Sequence, residues 1–120
     1  MQIVYEVTLE VDEDIVPAYL DWIRRGHIQE VMALPGFLGW KMAQADGDTP
    51  AQTQGLEGQR RVVFVETYEL KDRAALQTYF DEYAQPVRDD HTRMWDGKFA
   101  ARRRILHVFG TQSEQVGGWE

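Results

Sequence analysis

Glu6 and Glu66 each stand inside an alternating apolar stretch, QIVYEVTLEV and RRVVFVETYEL, where a carboxylate is costly unless something answers its charge. Two answers fit. Facing a cavity, Glu6 would contact a ligand and Glu66 would be poised as a general base, with Arg103 of the run Arg102–Arg104 clamping an anionic group. Facing those arginines across neighbouring strands, the same acids would form structural ion pairs. The histidines divide similarly. His27, in RRGHIQEV, is either a base or ligand contact at a cavity mouth or a ring that caps backbone groups where a helix breaks. His91 shares a helical face with Val87, Met94 and Trp95, and reads as a cavity-edge acid/base, a haem ligand or a half-buried packing residue. His107 alternates with Ile105 and Phe109 and reads as structural. Tyr68 and Tyr79 carry hydroxyls able to hydrogen-bond a developing oxyanion. Tyr5, Trp22, Trp40 and Trp95 add aromatic faces with polar tips, which line small ligand cavities and also build ordinary cores.

Other chemistries lack their residues. There is no cysteine, which removes disulfides, Cys-ligated zinc and thiol catalysis. No HxH or HExxH pair occurs, so no metal site is expected. Gly55 and Gly58 stand in a polar loop with no helix following, so they cradle no phosphate. Twenty acidic against thirteen basic residues give a net charge of -7, which argues against nucleic acid as a partner. No apolar run approaches the roughly eighteen residues needed to span a bilayer. The alternating first segment lacks a charged n-region and a cleavage site, so no signal peptide is expected and the default location is cytoplasmic.

Four strands and two helical segments must position these groups. QIVYEVTLEV alternates with period two, and VDEDIVPAYLDWIRRGH then changes to three- and four-residue spacings with Pro17 in the first turn. After Gly26 the pattern slips: a continuous helix would bring Gln29 and Glu30 onto the apolar stripe and turn Ile28, Val31 and Met32 away. A kink or a fresh short helix at Gly26–His27 is the expected remedy. PGFLGWKMAQ reads as a second strand after a Pro-Gly turn, residues 45–59 as a long mobile hairpin loop, and RRVVFVETYEL as a third strand. KDRAALQTYFDEY is a helix capped by Asp72, Pro86 opens another short helix, and GKFAARRRILHVF is the fourth strand. The order β-α-β-β-α-β predicts a ferredoxin-like α+β fold, an antiparallel sheet ordered 4-1-3-2 with both helices on one face. The domain covers residues 1–109 and a C-terminal extension 110–120. Val62, Phe64 and Tyr68 oppose Val63 and Val65 on the third strand, so the uncovered sheet face is also apolar and should pair with a second copy.

YEVTLEVD, YLDWIRRGHI, LPGF and KFAARRRIL together resemble a small bacterial family of unknown function. That family belongs to the dimeric α/β-barrel superfamily, beside the antibiotic-biosynthesis monooxygenases and muconolactone-isomerase-like proteins. The similarity spans residues 3–108, excluding the loop at 47–59. It implies a homodimer with one cavity per subunit between sheet and helices, and it supplies no reaction.

The expectation is therefore a cytoplasmic homodimer that binds a small aromatic or polyketide-like molecule and uses no cofactor. A catalytic version would run cofactor-free oxygenation or a proton-transfer isomerisation. Glu66 or His91 would take the proton, Tyr68 or Tyr79 would bond the oxyanion, and Arg103 would orient an acidic group, with Glu6, His27, Tyr79 and Trp95 contacting substrate. The competing expectation is a non-enzymatic dimerisation or ligand-sensing module with a filled apolar interior. A haem site at His91 is the third, weakened because the first strand offers Val7 and Thr8 and no amide partner.

Overall fold

The computed structural model describes residues 2–46 and 60–111. The loop expected at 45–59 and the extension at 110–120 therefore lie outside the described residues, except at their first two positions. Strand β1 (Ile3–Asp12) buries Ile3, Tyr5, Val7, Leu9 and Val11 and leaves the residues between Val4 and Glu10 half-buried, as its period-two pattern requires. With β2 (Phe37–Gln44), β3 (Arg61–Leu70) and β4 (Phe99–His107) it forms one antiparallel sheet ordered β2-β3-β1-β4. That is the expected 4-1-3-2 arrangement of a ferredoxin-like fold, read from the other edge.

The first helical segment opens with a 3-10 turn, Glu13–Ile15, and continues as α1 (Val16–Trp22) and α2 (Ile28–Met32). No break separates α1 from α2. A π-turn, Ile23–His27, joins them. It inserts one residue into the helix and so rotates everything after it by about 100°. Ile28 and Val31 thereby reach the core while Gln29 and Glu30 stay exposed, which removes the conflict in the sequence pattern. The irregularity expected at Gly26–His27 is thus this π-turn and not a break between two helices, and His27 stacks on Trp22, with no hydrogen bond to backbone among the described residues.

The chain leaves this segment through Leu34-Pro35-Gly36-Phe37, with Pro35 pre-setting its φ and Gly36 at φ +83°. A Cβ at Gly36 would also overlap the Ala75 side chain. Asp72 caps α3 (Arg73–Thr78), its side chain accepting from the Ala75 backbone N–H at 2.8 Å. A second π-turn, Tyr79–Tyr83, leads into α4 (Ala84–Trp95). Pro86 falls in the first turn of α4, as expected, although the chain enters that helix directly from the π-turn. In a regular helix the proline ring would strike the carbonyl of residue 82, and the widened turn accommodates it while the segment remains helical.

β-Register fixes which side chains share a face. Met42, Glu66, Val7 and Arg103 form one row across the sheet, and Trp40, Tyr68, Tyr5 and Ile105 form the next, both on the side where the helices pack. The opposite face carries Val4, Glu6, Thr8, Val65, Thr67 and Arg104. There an arginine of the 102–104 run does reach across to β1: Arg104 lies opposite Glu6 and its Nε donates to Oε1 at 2.6 Å. The Arg104 side chain is 69% exposed, so solvent screens this pair. At one end of the same face the Arg61–Asp12 pair, 2.8 Å apart, is buried.

Gly26 shows how little the π-turn depends on a missing side chain. A Cβ there would meet nothing within 4 Å, and its φ is not positive. Gly26→Ala should therefore stabilise the chain by about 0.5–1 kcal/mol through reduced unfolded-state freedom and better helix propensity. Urea unfolding checks this, and a loss of stability would mean the turn needs glycine's backbone.

Candidate functional site

Glu66 sits in its row between Met42 and Val7, so neither lateral neighbour offers a charge. The residue is 2% exposed. Trp40, a diagonal neighbour on β2, donates from Nε1 to Oε2 at 3.0 Å, and the Tyr68 hydroxyl donates to the same oxygen at 2.9 Å. Burial pushes the carboxyl's pKa up, and these two donors and the positive charge of Arg103 only partly oppose that. Among the described residues Oε1 accepts no hydrogen bond.

The helices close over this floor with a cluster of rings. The Tyr19 hydroxyl and His91 Nε2 are hydrogen-bonded at 2.7 Å. Trp22 stacks on His27 at 4.7 Å and meets His91 edge-on at 5.1 Å, while His27 and His91 meet edge-on at 5.2 Å. Burial holds the His91 pKa down to about 3, with His27 and Arg103 adding to the effect, and burial likewise lowers that of His27 against a pull from Asp90. Both rings are neutral in the physiological range. Burial and the nearby Glu66 keep the Tyr19 and Tyr68 hydroxyls protonated, and Tyr79 is pushed up to about 12, first by burial.

Between floor and roof lies a cavity of about 340 Å³. Its polar wall is Glu66, Tyr68, Tyr79, His27, His91 and Arg103, which the sequence singled out as candidates. Tyr5, Arg88 and Thr92 complete it, and Val7, Leu9 and Phe99 supply apolar surface. Two candidates stand elsewhere. Glu6 has even parity on β1 and points to the opposite sheet face, into its pair with Arg104. Trp95 packs edge-on against Tyr19 at 5.6 Å, behind the roof, because α4 turns it one helical turn past His91. The sequence reading missed Arg88, although it precedes His91 by three residues and hence shares its helix face. Nothing in the sequence could pair Tyr19 with His91, which are 72 residues apart. The arrangement offers a carboxylate base, a free phenol donor at Tyr79 and two guanidinium groups around one apolar space. Among the described residues no cluster of three or more potential ligands could hold a metal ion, and no helix is long and apolar enough to cross a membrane.

Solved structures share this ferredoxin-like architecture. SnoaB from Streptomyces nogalater, described as a cofactor-independent oxygenase, superposes with a TM-score of 0.61 at 14% identity, covering 92% of this chain and 95% of its own. An antibiotic-biosynthesis-monooxygenase-like protein from Bacillus cereus gives 0.60 at 9% identity, covering 93% and 97%. A dimeric ferredoxin-like protein from an uncultured marine organism gives 0.59 at 16%, covering 91% and 98%. At these identities the likeness is one of fold. The chain belongs to the DUF4286 family, a domain of unknown function whose model matches residues 2–109. No curated protein matches its sequence.

The buried groups make stability depend on pH in two opposed ways. Glu66 has a folded pKa above its ordinary 4.5, so its contribution is complete below that value and is lost as pH rises through the raised one. Glu66→Gln should therefore raise the urea midpoint at about pH 8 and lose that advantage as pH falls toward 4.5. His27 and His91 have folded pKa values below 6.5, so their contribution is complete above 6.5 and is lost on acidification. Each costs up to about 1.4 kcal/mol per pH unit below that point. His91→Gln should flatten the acid limb, and an unchanged limb would show that the ring is not buried neutral.

Proposed function

We propose that this protein is a homodimeric enzyme that binds a compact aromatic or polyketide-like molecule in the sheet–helix cavity and removes a proton from an activated carbon. The observation that carries the reading is Glu66, a buried carboxylate with a raised pKa on the wall of a cavity, one of whose oxygens accepts no hydrogen bond among the described residues. A carboxylate whose pKa is raised is a stronger base than an ordinary one. Tyr68 is committed to Oε2 of that carboxylate, so it positions the base. Tyr79 makes no hydrogen bond among the described residues and keeps its proton up to about 12, which makes it the donor to an enolate oxygen. His91 is tied to Tyr19 and, at about 3, is too weak a base for this step; with His27 it forms a neutral wall.

Glu66 takes the proton, and the electron pair of the broken C–H bond delocalises onto the carbonyl oxygen beside Tyr79. The proton then returns to a different carbon, giving isomerisation, or the carbanion passes its electrons to dioxygen as co-substrate, forming a C–O bond to a peroxide that takes up the proton and loses water to leave a new carbonyl. Fold neighbours of oxygenase type are compatible with the second outcome. An assembly module with a filled apolar interior is less consistent with a cavity on which several polar groups converge. The second copy is argued from the uncovered sheet face, where Val4, Val65 and Leu106 are half-buried at most, and from a dimeric fold neighbour.

2-Tetralone, whose C1 protons are both benzylic and next to a carbonyl, is a suitable probe. Its exchange into heavy water, followed by NMR, should be accelerated by the protein. Glu66→Gln should reduce the acceleration by about 100-fold or more, the scale of a general base. Exchange no faster than in buffer, or full activity in Glu66→Gln, would sink the reading. Oxygen uptake in the same samples separates oxygenation from isomerisation. Light scattering should return about twice 13.9 kDa at micromolar concentration, and a persistent monomer would remove the dimer.

A further inference from the structure

Half of the ten arginines pair with an acid among the described residues. Arg25, Arg60, Arg61, Arg93 and Arg104 pair with Asp21, Glu13, Asp12, Asp90 and Glu6 respectively. With twenty acidic residues against thirteen basic, partners are plentiful. Arg24, Arg73 and Arg102 lack one but are exposed, where water serves as well. Arg88 and Arg103 differ, because both line the cavity.

Arg88 is half-buried, and its Nε is occluded with no hydrogen-bond partner. Among the described residues its one hydrogen bond runs from Nη2 to the Tyr5 hydroxyl at 3.4 Å, longer than a well-formed bond. An unsatisfied buried guanidinium N–H is costly unless a ligand completes it. Arg103 makes no hydrogen bond or ion pair among the described residues, although its neighbour Arg104 is paired. It lies in the same sheet row as Glu66, two strands away, which is about 10 Å. Glu66 is the only acid on the cavity wall, so two guanidinium groups face at most one negative charge in a protein whose net charge is -7. Tyr5, Tyr79 and Phe99 line the same space with aromatic surface.

We infer that the cavity selects an aromatic carboxylate, its anionic group held by Arg88 and Arg103 and its ring lying against Tyr5, Tyr79 and Phe99. This rests on the small-molecule reading of the site and narrows it to one class of ligand. Guanidinium groups bind carboxylates through paired, charge-assisted hydrogen bonds, which a neutral amide of the same shape cannot match.

Three matched pairs test it by calorimetry on the intact protein: benzoate and benzamide, phenylacetate and phenylacetamide, 2-naphthoate and 2-naphthamide. At least one acid should bind more tightly than its amide by about tenfold or more, with the preference shrinking at high salt. Arg103→Gln and Arg88→Gln should each weaken binding of the acid more than that of its amide, erasing most of that preference. Circular dichroism checks folding of Arg88→Gln, and Arg103, exposed on an edge strand, carries the test should that variant unfold. No binding by any acid, equal affinity within each pair, or equal loss for acid and amide in Arg103→Gln overturns the inference. Acid selectivity without proton exchange on 2-tetralone would leave the anion site standing and remove the reaction; exchange without selectivity would do the reverse.

Discussion

Glu66 stands between Val7 and Met42 on the helix-covered face of the sheet, where an ionised carboxylate costs more than an apolar side chain of the same size. Two neutral donors, Trp40 and Tyr68, meet part of that cost at one oxygen, and the remainder appears as a raised pKa. Trp40 can reach Oε2 only while β2 and β3 hold their register. A slip of one residue would send Trp40 to the opposite face and leave the carboxylate with a single donor. Register and base strength are therefore one property of this sheet.

The helices answer the floor in the same way. Each helical segment contains a π-turn, and each π-turn delivers a residue to the cavity wall, His27 from Ile23–His27 and Tyr79 from Tyr79–Tyr83. Such turns are rare inside helices and sacrifice good hydrogen-bond geometry, so two of them over one cavity point to positions worth keeping at some cost. Tyr19 and Trp22 then fix the roof by packing on His91 and His27, and the hydrogen bond from Tyr19 orients the His91 ring.

Period two is written plainly in β1 and β3, and the change to helical spacing after Asp12 is as clear, so strand order and layer arrangement were legible from the chain alone. The slip after Gly26 was legible as a fault, but a kink, a restart and a π-turn all repair the same pattern. Only backbone hydrogen bonding distinguishes them. Glu66, Tyr68, Tyr79, His27, His91 and Arg103 could be gathered as candidates because charged and aromatic residues in core-facing patterns need a reason. Which of them share one space depends on register, and register is a tertiary property that a single strand does not carry. Arg88 escaped notice because an arginine on an amphipathic helix ordinarily reaches solvent.

Glu6 and Glu66 make the point most directly, being the same residue type in similar apolar strands. Odd positions of β1 and even positions of β3 face the helices, so Glu6 falls on the uncovered side and Glu66 on the covered one. On the uncovered side Glu6 meets Arg104 and its charge is answered within the chain. On the covered side Glu66 accepts hydrogen bonds from neutral donors, and among the described residues Arg88 and Arg103 form no ion pair. Alternation alone therefore decides that one glutamate meets a guanidinium while the other meets neutral donors on the wall of the cavity.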